Sequence, residues 1–317
     1  MDNVKGNSLW NILRKFGLLA VIIVIIIAMS VVSPVFLTRQ NIINVLRQVS
    51  INGIMAVGVT LVILTGGIDL SVGALVAVTS VIAGSLLLAG YSVPTAVLAG
   101  VAAAIAFGAF SGTLISVFGL PPFIATLSTM TIGRGFALVY SNGRPYAITD
   151  KTFVSIGQGS TFDIPNPIWI LLVVCVVVYI LLNFTVYGRH IYAYGGNRQA
   201  ARLAGVRTKL VEISVYIISG FLAGVAAIIL SARIRSGQPT AGDGYELDAI
   251  AAAAIGGTSM VGGKGSVLGT VLGFIIIGVV SNSLTLLNVS SFYQQIVKGV
   301  IIIIAVMMDS QTKRRRV

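Results

Sequence analysis

The chain offers one histidine, His190, and one cysteine, Cys175. An HExxH pair or any comparable metal site needs a second histidine, and no G-x-S-x-G stretch presents a nucleophilic serine. Cys175 lies in an apolar run with no neighbouring cation to lower its pKa, and as the only cysteine it forms no internal disulfide and no thiolate metal site. The segment 257–266, GTSMVGGKGS, has the composition of a phosphate-binding loop without its spacing. Lys264 is followed by Gly265 instead of Ser or Thr, and Thr258 stands where the first glycine is required. These residues point away from catalysis and away from nucleotide binding by this chain.

Four ionisable groups fall within or beside apolar runs: Asp69, Arg134, Asp248 and Lys298. Charge at membrane depth is costly, and an ion-coupled carrier would use such groups. Asp69, in LTGGIDLSVG, is placed to cap the helix that follows. Asp248, two residues after Glu246, is expected near a surface. Arg134 and Lys298 have no acidic partner visible in sequence, which weakens the carrier reading.

The segment 185–210, TVYGRHIYAYGGNRQAARLAGVRTKL, carries more pattern than any other polar stretch. Asn197 is a suitable N-cap, Arg198 to Ala204 give two helical turns, and Gly205 is a natural stop. Such a helix presents Ala200, Ala201, Leu203 and Ala204, flanked by Arg198 and Arg202. Two readings follow from the residues: docking into a groove of a partner, or lying on the membrane surface held by Tyr192 and Tyr194.

The elements around these residues are apolar helices. The chain of 317 residues is 56% hydrophobic and only 9% charged, with a mean hydropathy of +0.99, whereas a soluble domain carries about a quarter charged residues. Helices are expected at 17–37, 50–66, 70–89, 94–118, 123–140, 167–184, 211–231, 247–261, 267–284 and 293–309, giving an all-α polytopic membrane protein of about ten crossings. The first apolar stretch ends at Ser33-Pro34 without an Ala-x-Ala pattern and reads as a retained helix. Of the 21 Lys and Arg, thirteen fall at Lys5, Arg14 and Lys15, between Arg189 and Lys209, at Lys264, and from Lys313 to Arg316. Placing these in the cytoplasm puts both termini there and accounts for the net charge of +12 without nucleic acid. Residues 141–166 then form an extracytoplasmic loop and 185–210 a cytoplasmic one within a single membrane domain, 1–317. The turns near Gly66 and Gly262 read either as loops or as breaks within helices. A shift of 196 residues superposes Gly66, Gly67 and Gly73 on Gly262, Gly263 and Gly269, a faint parallel repeat. Glycines four apart, such as Gly108 and Gly112 or Gly220 and Gly224, suit close helix packing, within one bundle or between copies.

The stretches GIMAVGVTLVILTGGIDLSVGALVAV (53–78), YAYGGNRQAARLAGV (192–206) and QPTAGDGYELDAIAAAAIGGTSMVGGKGSVLGTVLG (238–273) closely resemble the ribose-type permease subunit of bacterial ABC sugar importers, and NGRP (142–145) and SSFYQQIVKGVIIIIAV (290–306) fit as well. The resemblance spans nearly the whole chain and implies a permease in the bacterial inner membrane, with no cofactor of its own. It implies a second permease copy, a cytoplasmic ATPase subunit that uses ATP, and an extracytoplasmic sugar-binding protein. The family's coupling helix maps to Gly196–Gly205, which favours docking over the membrane surface, with Ala200, Ala201 and Leu203 at the contact. Asn52, Thr65, Asp69 and Ser71 are polar groups in an apolar stretch. They are candidates for the translocation pathway, and equally for satisfying backbone at a helix break.

Overall fold

The structure, a computed structural model, describes residues 4–314, with side chains at 17–301, 303 and 307. The basic clusters at Lys5, Arg14 and Lys15 and at Lys313–Arg316 lie outside the described side chains. The helices are α1 (Val4–Val32), α2 (Arg39–Leu64), α3 (Val72–Leu88), α4 (Val93–Ser116), α5 (Pro122–Ser141), α6 (Lys151–Gln158), α7 (Asn166–Phe184), α8 (Val186–Gly196), α9 (Arg198–Leu203), α10 (Thr208–Ile234), α11 (Tyr245–Ile255), α12 (Val267–Leu286) and α13 (Ser291–Arg314). Each of the ten expected apolar stretches contains a helix. Among the described residues six of them, α2, α4, α5, α7, α10 and α12, are long and apolar enough to cross a bilayer. The chain is therefore a polytopic membrane protein.

The helix expected at 247–261 is shorter than that range, because α11 ends at Ile255. Its 11 residues rise about 16 Å, roughly half of the hydrocarbon core. The expected helix at 50–66 also begins eleven residues early, at Arg39, because Thr38 caps it by accepting from the Asn41 amide. Arg39 and Arg47 thus belong to α2. The first helix, by contrast, stops at Val32, ahead of Pro34. The expected loop 141–166 is itself folded. It holds α6 and a two-residue strand, β1 (Tyr146–Ala147), and a small hairpin, β2 (Ser160–Thr161) with β3 (Ile164–Pro165). β1 pairs antiparallel with β4 (Ser236–Gly237) after α10.

α2 is the axis of the bundle. Every residue from Val49 to Leu64 is buried, as expected of a helix that is apolar all round, and α7, α10, α11 and α12 pack around it. Glycine sets the closest crossing. A Cβ on Gly108 would strike the Tyr216 carbonyl, and one on Gly220 the Ala104 carbonyl, so α4 and α10 meet backbone to backbone. The glycines four apart thus serve packing within one chain.

α3 and α11 are short because both start inside the bundle. Asp69, just ahead of α3, accepts from Ser219, which lies eleven residues beyond the first residue of α10, Thr208, or about 16 Å along it. The first turn of α11 meets the first turn of α3 at the same level, where Glu246 packs on Gly73. The breaks therefore lie at 65–71 and 235–244.

Candidate functional site

The end of the bundle that carries α9 is held together by two glycine turns and the glycine at the end of α8. The Gly263 amide donates to the Leu64 carbonyl at 2.9 Å. A Cβ on Gly195 would collide with that carbonyl and with the Gly263 amide, and one on Gly262 would collide with the Gly66 amide. Gly66, Gly262 and Gly263 all have positive φ, from 72° to 94°, a conformation that glycine adopts without cost. The two turns related by the 196-residue shift therefore touch each other, and the segment leading into α9 is wedged against both.

α8 and α9 grow from this junction. Thr185 caps α8 by accepting from the Gly188 amide. Asn197 caps α9 by accepting from the Ala200 amide at 2.9 Å. At the other end, the Val206 amide donates to Ala201 O and the Gly205 amide to Arg202 O, a Schellman closure with Gly205 at φ 85°. The helix 198–203 is thus closed at both ends by its own residues, as the sequence predicts.

Its anchoring departs from expectation. Ala201 is buried, whereas Ala200, Arg202, Leu203 and Ala204 are exposed, Leu203 at 84%. Ala201 therefore faces its own chain, and the surface on offer is Ala200, Leu203 and Ala204. Gly196 and Asn197 lie exposed at the entry to the helix. Arg198 donates through Nη2 to Glu212 Oε2 at 2.8 Å, and its guanidinium lies 5.2 Å from the Tyr194 ring centroid. Glu212 is buried and is the only acidic residue between 185 and 233, a signal that could have singled it out. Tyr194 is buried too, and the Tyr192 hydroxyl donates to Gly265 O at 3.0 Å. Both tyrosines hold protein, which removes the support for a helix lying on the membrane. Beneath α9 opens a cavity of about 590 Å³, lined among others by Thr65, Gly119, Tyr194, Lys209 and Glu212.

The four pathway candidates do not converge. Thr65 lies at the α9 end, where it donates to Val62 O. Asp69 and Ser71 sit together, both fully buried: Asp69 Oδ1 accepts from the Ser71 amide and hydroxyl at 2.9 and 2.6 Å, and Oδ2 from Ser219 at 2.8 Å. Ser71 occupies the N-cap position of α3 without a side-chain cap bond, so Asp69 braces the entry to that helix and is not its cap. Asn52 is buried thirteen residues before Thr65 in α2, about 20 Å away along the helix.

The ion pairs correct two further expectations. Lys298 does have an acidic partner, Asp248, at 2.8 Å, and Asp248 is buried instead of lying near a surface. Arg134 donates to Ala241 O at 2.7 Å and lies 4.0 Å from Asp243.

A membrane bundle with two helices that begin inside it and a capped polar helix at one end has the parts of a transport protein. Residues 41–306 match the sequence family described as the branched-chain amino acid transport system / permease component. The chain belongs to this permease family. Among curated proteins, the permease is 44% identical over 300 residues to the ribose import permease protein RbsC of Bacillus subtilis (strain 168), covering 94% of this chain and 93% of the relative. It is 46% identical to the protein of the same name in Escherichia coli (strain K12), covering 92% of each. It is also 39% identical to the D-allose transport system permease protein AlsC of Escherichia coli (strain K12), covering 93% of this chain and 91% of that one. No solved structure matches it.

Proposed function

We propose that this permease carries a monosaccharide, ribose in the first instance, into a bacterial cell by alternating access, powered by a separate ATPase subunit. Relatives that match over nine-tenths of the chain are named for ribose, L-arabinose and D-allose, which favours a neutral polyhydroxyl substrate over an amino acid. In this reading the α9 end faces the cytoplasm, a second copy completes the transport path, and a sugar-binding protein outside the membrane supplies the substrate.

The observation that carries the reading is the construction of α9. Leu203 is held in the open on a helix that is already capped, and that helix is tied by Arg198 to the buried Glu212. Coupling requires contacts that differ between states. Motion of an ATPase gripping Leu203 would pass through the Arg198–Glu212 pair into α10 and through Gly195 into α2.

The test is purification with the candidate ATPase, followed by sugar uptake into proteoliposomes. Leu203→Asp should preserve expression and thermal unfolding while abolishing co-purification and ATP-driven uptake. Full uptake by that variant would remove α9 from the coupling role.

The buried Lys298–Asp248 pair favours a second reading, a gradient-driven carrier. Uptake by the lone chain under a proton or sodium gradient, indifferent to ATP, would establish it.

A further inference from the structure

The least explained charges lie away from α9. Arg134 is twelve residues beyond Pro122, about 18 Å along a helix whose 20 residues span about 30 Å, the thickness of the hydrocarbon core. Its bond to Ala241 O fixes one edge of the guanidinium, and four of the five N–H donors remain. Asp243 stands 4.0 Å away with its side chain 86% exposed. A carboxylate this open at this depth cannot face lipid tails without a large desolvation cost. Thr131, one turn before Arg134, and Ser128, a further turn back and about 120° around α5 from Arg134, are both exposed, beside the exposed Leu127 and Ile132. Their hydroxyls donate back to Ile124 and Leu127, so they tolerate either solvent, and the ion pair decides. Behind the pair, Glu246 Oε2 is buried without a hydrogen-bond partner, against Gly73 in the first turn of α3.

We propose that this face of α5, with the 241–246 turn, lines the aqueous route and holds the substrate. Arg134 donates to sugar hydroxyls, Asp243 accepts from them, and Ser128 and Thr131 form the approach. A hydroxyl both donates and accepts, so one sugar edge bridges a guanidinium and a carboxylate set too far apart to bond each other well. The proposal rests on the permease reading and adds specificity-determining residues to it.

The first test reads water access without transport. In a Cys175→Ala background of the assembled complex, cysteine is placed at Ser128, Thr131 and Leu98, the last being 70% exposed on apolar α4. A charged, membrane-impermeant thiosulfonate should label Ser128→Cys and Thr131→Cys at least tenfold faster than Leu98→Cys, and ribose should slow that labelling. Equal, slow labelling at all three positions would overturn the proposal. So would oxidative cross-linking of Thr131→Cys between copies with uptake intact, which would make the face a contact between permeases.

The second test is Asp243→Asn, a change at an exposed side chain. It should raise the KM for uptake about tenfold and reorder preference among pentoses and hexoses, with kcat nearly unchanged. An unaltered KM and unaltered preference would remove Asp243 from the substrate. Lack of ATP-driven uptake by the parent protein would count against the permease reading, while the labelling pattern would still decide the aqueous face.

Discussion

Lys298 Nζ lies 2.8 Å from Asp248 Oδ2, tying α13 to the first turn of α11, with the carboxylate side chain only 4% exposed. The pair holds in place a helix too short to cross the membrane. Removing one partner of a buried pair leaves an uncompensated charge, whereas removing both restores neutrality. Lys298→Met should therefore lower stability by about 3 kcal/mol, and Lys298→Met with Asp248→Asn should recover most of it. Thermal unfolding of the four proteins in detergent, treated as a double-mutant cycle, measures this.

Adjacent glycines provide a matched pair of substitutions. Gly195 is pressed on the Leu64 carbonyl, whereas a Cβ on Gly196 would meet nothing within 4 Å. Gly195→Ala should sharply reduce the yield of folded protein, seen as loss of the monodisperse peak in size exclusion. Gly196→Ala should express and unfold like the parent.

Capping of α9 can be weakened without touching its exposed face. Asn197→Ala removes the oxygen that accepts from the Ala200 amide and should cost the helix about 1 kcal/mol, while Asn197→Asp keeps the cap. Sugar uptake at equal expression should fall for the alanine variant and not for the aspartate variant.

The Arg198–Glu212 contact is asymmetric, with side-chain exposures of 54% and 7%. Arg198→Ala strands a buried carboxylate at a cost of about 1–3 kcal/mol, whereas Glu212→Gln retains an acceptor at the same place. Arg198→Ala should therefore lower the unfolding temperature more than Glu212→Gln.

The helices were largely legible in the sequence because lipid-facing and buried helix surfaces both demand long apolar runs. α9 was legible to within a residue, since Asn197 and Gly205 are local signals whose partners lie within one turn. Ala201 was not, because an alanine reads the same whether it faces its own chain or a partner. The short α11 was missed because the apolar run through Ile255 gives no sign of where the backbone enters the bundle. The Lys298–Asp248 pair joins residues 50 apart, a pairing that no local pattern contains. Asn52, Thr65 and Asp69 share polarity in one stretch, and polarity does not tell a lumen from a braced turn.

At the junction of Leu64, Gly195 and Gly263, the space a side chain would need is filled by the main chain of another segment. Crowding by a neighbouring side chain can be relieved by trimming that neighbour, but crowding by a carbonyl or an amide leaves nothing to trim. A new side chain at Gly195 therefore has no partner substitution that rescues it. Three stretches far apart in the sequence thus constrain one another through their main chains at the point where they meet.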